Sequence, residues 1–264
     1  MKKPKAPTKR DLKVSALVKI LKARSAGSYN FKKVMTSFRR LATEDKVHGY
    51  HDTKIFRAMR DSNGKNDAKL RKFWAESFAE MRPWVPQALA IFLTEIYDHP
   101  LAWVLAENMA SEYGQELGVS TVGPSHSILF LPVLQKLNVR IKGDTMATPL
   151  NPKSQAAKKF HETFLKKIRN ESIAFRFGYL GAYEETGDLP DFRLYRVAVH
   201  RMFPGKRSFD RFFDIHAESN HGDKFAKNLQ QLFQKERTEM MRGMCALLID
   251  SKKYFIDSGE EIGL

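Results

Sequence analysis

FFDIHAESNHGDKF, residues 212–225, sets two histidines, three acidic residues and an asparagine behind a pair of phenylalanines. At the helical advance of about 100° per residue, Phe209, Phe212, Phe213, His216, Asn220 and Asp223 gather on one side of a single helix. The phenylalanines mark that side as inward. His216, Asn220 and Asp223, at i, i+4 and i+7, are then expected to point at one object. Asp214, Glu218 and His221 share the opposite face, which reads as solvated. A buried imidazole, amide and carboxylate need partners, because an isolated polar group is costly to bury. A hydrogen-bonded network would supply them, and so would a metal ion whose shell is completed by other helices.

Working outward, nearly every segment repeats the helical period. Leu12, Leu17, Val18 and Leu21 form a narrow apolar stripe between lysines. Phe31, Val34, Met35, Phe38 and Leu41 form a second stripe, with Asn30 placed to cap it. Leu70, Phe73, Trp74, Phe78 and Met81 align next. Pro86 is expected to open a helix that stops before Pro100. Further helices are predicted over 100–117, 124–138, 153–169, 171–186, 191–203 and 207–233, followed by the amphipathic segment TEMMRGMCALLIDSKKYF. No alternating strand pattern competes. The predicted class is all-α.

Composition narrows the function. At 264 residues, with 42% hydrophobic and 11% aromatic content, the chain can bury a large core. One cysteine, Cys245, excludes an internal disulfide framework and a cysteine-rich zinc site. Lysines interrupt each apolar run near the N-terminus, so no signal-peptide core is expected and the natural compartment is cytoplasmic. No transmembrane segment is expected either. Residues 1–72 carry 21 Lys and Arg against six Asp and Glu, while the remaining 192 carry 24 of each. That excess suits either a solvated surface or contact with a polyanion such as nucleic acid or an anionic membrane.

Several familiar chemistries are absent. PGKRS and NGKND lack the upstream glycine of a phosphate loop, and no strand precedes a glycine fingerprint. No nucleophile elbow appears. His48 and His51 stand three apart in the basic region and are expected on a solvent-facing helix or turn. His161 and His200 have no carboxylate partner that spacing identifies.

Three stretches carry a resemblance: NMASEYGQELG followed by PSHSILFLPVLQKLNV, then GYLGAYEETGDLP, then FFDIHAESNHGDKF. Their order resembles the heme-oxygenase-like iron-containing redox proteins, also called heme-oxygenase-like diiron oxidases and oxygenases, related in fold to TenA and PqqC. The resemblance spans residues 85–250 and omits the basic region. It implies a heme-oxygenase-like bundle of about seven core helices over residues 85–264. Basic N-terminal helices, residues 1–84, would pack on that bundle in one compact unit.

The resemblance also implies a ligand set. Asn108, Glu112 and Gly114 match the first element, and His126 matches the histidine that opens the next helix. Ala182, Tyr183, Glu184 and Pro190 match the second carboxylate element, with the adjacent Glu185 as the alternative register. In the third element the family pattern is His, Asp, His. Here His216 keeps the first place, Asn220 takes the second and Asp223 the third, while Glu218 and His221 would serve if the helix shifts. An amide is a weaker iron ligand than a carboxylate, whereas oxygen for nitrogen suits iron or manganese. The implied cofactor is one or two Fe ions, or Mn, with O2 as co-substrate. The implied activity is hydroxylation, N-oxygenation or oxidative carbon–carbon cleavage of a small organic substrate. Phe209, Phe213, Tyr179 and Tyr183 would line its pocket or pack the core. Two other readings stay open: a metal-independent TenA- or PqqC-like enzyme or ligand-binding protein, and a non-enzymatic protein docking through its basic segment. A homodimer is open as well.

Overall fold

Thirteen α-helices and no strand make up the described residues of the computed structural model, which are 6–78, 84–115, 126–137, 153–186, 191–205, 210–218 and 221–264. In chain order they are α1 (Lys9–Arg24), α2 (Phe31–Thr43), α3 (Lys54–Arg60), α4 (Asp67–Phe73), α5 (Trp84–Glu95), α6 (Ala102–Glu112) and α7 (His126–Lys136). Then come α8 (Gln155–Asn170), α9 (Ile173–Thr186), α10 (Phe192–Met202), α11 (Asp210–Glu218), α12 (His221–Asn228) and α13 (Gln230–Glu261). The all-α reading of the sequence is therefore correct.

Local chemistry sets several boundaries. Thr8 and Asp11 form a reciprocal capping box at the start of α1. The expected Asn30 cap is present: the Lys33 backbone N–H donates to Asn30 Oδ1 at 3.0 Å. The α2 stripe of Phe31, Val34, Met35, Phe38 and Leu41 is buried throughout. After α4 the ladder widens into a π-turn, Trp74–Phe78. Phe73 and Trp74, consecutive and both fully buried, face the core at that point, and a widened turn makes room for two adjacent rings. Met81 lies outside the described residues. Trp84 and Val85 are already helical in α5, so Pro86 does not open it. Of the helix expected over 207–233, residues 207–209, 219 and 220 lie outside the described residues; 210–218 and 221–228 are helical, and a turn at Leu229 precedes α13.

The centre of the fold is the crossing of α9 and α13. Helix α9 is apolar on nearly every side and also packs on α2 and α12, so it is buried all round. Two glycines permit the crossing. A Cβ on Gly178 would fall 2.0 Å from the Met240 carbonyl oxygen, and one on Gly243 would fall 2.1 Å from the Phe175 carbonyl oxygen. Backbone meets backbone there, and no side chain fits between. Helix α13 changes direction at Glu236, whose φ of −118° and ψ of 30° are non-helical.

The basic N-terminal helices belong to the same core. Buried residues run without interruption of contact from Val14 in α1 to Phe255 in α13. Arg10 Nη2 donates to both carboxylate oxygens of Asp250, at 2.7 and 2.6 Å, and the Tyr179 hydroxyl donates to the same carboxylate at 3.0 Å. Burial pushes the Asp250 carboxyl above its ordinary pKa, and Arg10 and Tyr179 offset only part of that shift. A carboxyl raised by folding contributes most to stability while protonated, and the contribution is lost as pH rises through its folded pKa. Asp250→Asn cannot ionise. The stability advantage of the wild type over this variant in urea melts is therefore expected to be larger at pH ~4 than at pH ~7. An advantage that grows toward neutral pH would contradict the sign.

Candidate functional site

Two adjacent carboxylates near the end of α9, Glu184 and Glu185, are 8% and 7% exposed. Charged groups this buried need compensation. Their directions differ. Glu185 faces α2, where Arg39 Nη1 lies 3.3 Å from its Oε1. Glu184 lies seven residues beyond Phe177, on the same side of the helix. At Phe177 that side packs on Phe92 of α5, with ring centroids 4.9 Å apart, and on Phe225 of α12 at 6.1 Å.

Helix α6 presents Glu112 as its last residue, half-buried, one turn beyond Asn108. Asn108 Nδ2 is buried and has no hydrogen-bond partner, so an uncompensated donor sits beside this carboxylate. Helix α6 packs on α5 and on α12, and α12 packs on α9. Helix α7 packs on α11. The elements carrying the candidates are therefore neighbours in two sets, α6–α12–α9 and α7–α11.

His126 lies in α7, His216 and Glu218 in α11, and His221 and Asp223 in α12, all placed by their backbone alone. Asn220 and Phe209 lie outside the described residues. Among the described side chains no group of three or more His, Cys, Asp and Glu could hold a metal ion. His126, His216, Asn220 and Asp223 are not among those side chains.

Helix α11 is well anchored. Phe212 and Phe213 are buried, as the wheel required, and both rings meet Phe192 of α10. On the other face Arg196 of α10 reaches Asp214 at 2.9 Å, and His200 Nε2 lies 2.6 Å from Asp210. His200 thus has the carboxylate partner that spacing did not reveal. Tyr179 and Phe213 serve the core, and Tyr183 is half-buried against Phe164. His161 Nε2 donates to Gln87 at 3.2 Å, and burial lowers its pKa.

One buried polar cluster escaped the sequence reading. His51, expected to face solvent, is 6% exposed. Its Nε2 lies 2.5 Å from Asp191 Oδ1, while the Tyr50 hydroxyl donates to Asp191 Oδ2 at 2.8 Å. Phe56 stacks on the imidazole, centroids 4.3 Å apart, and Arg60 donates to the His51 carbonyl at 2.8 Å. The reason for the difference is tertiary. Asp191 is 140 residues away in sequence, and it satisfies a histidine that no local pattern could satisfy. Asp191 directly precedes α10, so the cluster fixes the start of that helix against the N-terminal region.

Cys245 is fully buried in α13, and burial raises its thiol pKa to about 12. A protonated, inaccessible thiol is a poor nucleophile. Native protein is expected to react with a disulfide reagent at least ~100-fold more slowly than urea-unfolded protein at the same pH. Comparable rates would show that α13 opens readily.

No family model matches the chain, and no curated protein matches it. Its fold is similar to that of a CadD-like protein of unknown function from Nostoc punctiforme, seen in crystal structures at 2.00 and 1.35 Å resolution. The TM-scores are 0.67 and 0.68 at 16% and 17% identity. Each alignment covers 89% of this chain, with 99% and 96% of the respective Nostoc chains. At that identity the likeness shows a shared helical architecture. No helix among the described residues is long and apolar enough to cross a membrane.

Proposed function

We propose that this protein is a non-heme iron-dependent oxidase or oxygenase that uses O2 on a small organic substrate. The observation that carries this reading is the adjacency of the candidate-bearing helices. Glu112 ends α6, which packs on α12, the helix of Asp223; α12 packs on α9, whose buried Glu184 lies toward it. His126 and His216 belong to the packed pair α7 and α11. Brought to one point, three carboxylates and two imidazoles would make a donor set suited to iron or manganese. A positive ion beside Glu184 would also offset the cost of burying its charge. Iron, when bound, supplies the O2 activation for hydroxylation, N-oxygenation or oxidative carbon–carbon cleavage, which no side chain performs.

The chain's own residues then have definite tasks. Glu112, Glu184 and Asp223 provide negative charge, and His126 and His216 provide neutral nitrogen donors. Asn108 holds an unsatisfied amide one turn from Glu112, where it would donate to the carboxylate and fix its orientation. Phe177, Phe92 and Phe225 close the side of α9 below Glu184 against water. Asn220 brings no charge, so it holds an ion less strongly than Asp would.

Metal content after anaerobic Fe(II) loading and desalting tests the reading, with Mn(II) loaded in parallel. The expected result is roughly one to two iron ions per chain and an optical change on admitting O2. Glu112→Ala and His126→Ala should each cut iron retention by on the order of tenfold with helicity intact. A protein that retains neither metal would be a metal-free member of the same architecture, and the proposal would be withdrawn.

A further inference from the structure

We propose that a cavity between α3 and α13 is a binding site for a small phosphate monoester with an apolar body. The cavity has a volume of about 250 Å³ and lies among the loop before α3, α3 itself and the outer face of α13. Lys46, Arg57 and Lys252 line it, with Thr53, Phe255 and Ile256. The loop supplies Lys46, α3 supplies Arg57, and α13 supplies Lys252 beside the apolar pair Phe255 and Ile256.

Its cations are available. Lys252 Nζ donates to the Val47 carbonyl at 2.7 Å and is thereby held at the cavity edge. Lys46 and Arg57 are exposed, and no acidic side chain pairs with either. That contrasts with Arg10, Arg24, Arg39, Arg176, Arg196 and Arg201, each of which meets a carboxylate. A planar guanidinium and two ammonium groups suit the tetrahedral oxygens of a phosphate. Asp52 and Glu260 also line the cavity, and Lys54, the fourth cation, is engaged with the Leu264 carbonyl at 2.7 Å. The lining keeps a positive balance, and the two acids limit it to a small anion instead of an extended polyanion.

Two further features point to an occupant. Thr53 is 7% exposed, and its Oγ1 hydrogen-bonds to nothing. A buried hydroxyl without a partner is costly, and a turn about χ1 would offer it to a phosphate oxygen. Ile256 is 41% exposed although it belongs to the helix that forms the centre of the core. An aryl or alkyl group seated beside Phe255 would cover it.

The wall is also pre-formed. Asp45 Oδ1 accepts the backbone N–H groups of Val47 and His48 at 2.9 and 2.8 Å, and Arg24 pairs with the same carboxylate. A Cβ on Gly49 would lie 2.5 Å from the Ala42 carbonyl oxygen, so only glycine lets the loop close this tightly. Little ordering remains to oppose binding.

Titration of the full chain with phenyl phosphate, and separately with inorganic phosphate, tests this by calorimetry and phosphorus NMR at about 50 mM NaCl. Saturable 1:1 binding is expected, tighter for phenyl phosphate because its ring covers Ile256. Arg57→Ala and Lys46→Ala should each weaken it by about tenfold, while Lys33→Ala, with the same charge change on the outside of α2, should leave it within about twofold. All three side chains are exposed, and circular dichroism checks that the variants keep their helices. Absence of saturable binding would overturn the proposal. So would equal weakening by Lys33→Ala, because the anion would then be following overall charge.

Discussion

Gly243→Ala is expected to cost at least about 3 kcal/mol and to lower the melting temperature by on the order of 10 °C. The new methyl would sit 2.1 Å from the Phe175 carbonyl oxygen and 2.8 Å from the Tyr179 nitrogen. Both are backbone atoms of α9, so no side chain can rotate out of the way. Relief requires moving α13 away from α9, which loosens the most extensive helix–helix contact among the described residues. Helix propensity acts in the opposite sense, since alanine is favoured over glycine in a helix by up to about 1 kcal/mol. Gly178→Ala should behave alike, its methyl meeting the Met240 carbonyl oxygen at 2.0 Å. Gly259→Ala provides the internal control. It lies in the same helix with its nearest neighbour, Ile55 Cγ1, at 3.6 Å, an ordinary contact. That substitution should be neutral or stabilise by up to about 1 kcal/mol. Thermal melts of the three variants decide the matter, and a Gly243→Ala protein as stable as wild type would show that the two helices are not held at this distance.

Asp191→Ala carries the second large effect, about 3–5 kcal/mol of lost stability. The carboxylate accepts the Tyr50 hydroxyl and faces His51, and both are buried. Removing it takes the carboxylate away from two buried polar groups in a region closed by Phe56, Phe255 and Tyr195. Urea unfolding of Asp191→Ala, His51→Phe and the double variant separates the pair from its surroundings. The double variant should be damaged much less than the sum of the two single ones, since each single change strands the partner of the other. Strict additivity would mean that Asp191 and His51 act independently.

Most of the architecture was legible because it is periodic. The α2 stripe, its Asn30 cap and the apolar face at Phe212 and Phe213 follow from spacing alone, and each is found as expected. The turn at Leu229, between α12 and α13, was not legible, because the apolar spacing of Phe225, Leu229 and Phe233 carries through it. The π-turn at Trp74 was hidden similarly, since Phe73 and Trp74 fit an ordinary stripe. Of the candidate site, the resemblance implied a carboxylate at Glu184 or Glu185, and both are buried. Their different directions depend on Arg39 and α12, which only the packing supplies. The cluster of Tyr50, His51 and Asp191 joins segments 140 residues apart, and the Arg10–Asp250 pair spans 240. No local pattern encodes a partner at that distance.

The union of α1 with α13 bears on how the chain folds during synthesis. Arg10 is made 240 residues before its carboxylate partner, Asp250. Helix α9, likewise, gains the surface it crosses only when Met240 and Gly243 have been added. The emerging polypeptide therefore carries the apolar faces of α1, α2 and, once it is made, α9 without the helix that covers them until α13 is added. Contacts of such long sequence separation are slow to close, and the exposed faces are prone to association in the meantime. Ribosome-bound chains stopped before residue 240 should consequently be protease-sensitive and chaperone-bound, with protection arriving late and all at once as α13 leaves the exit tunnel.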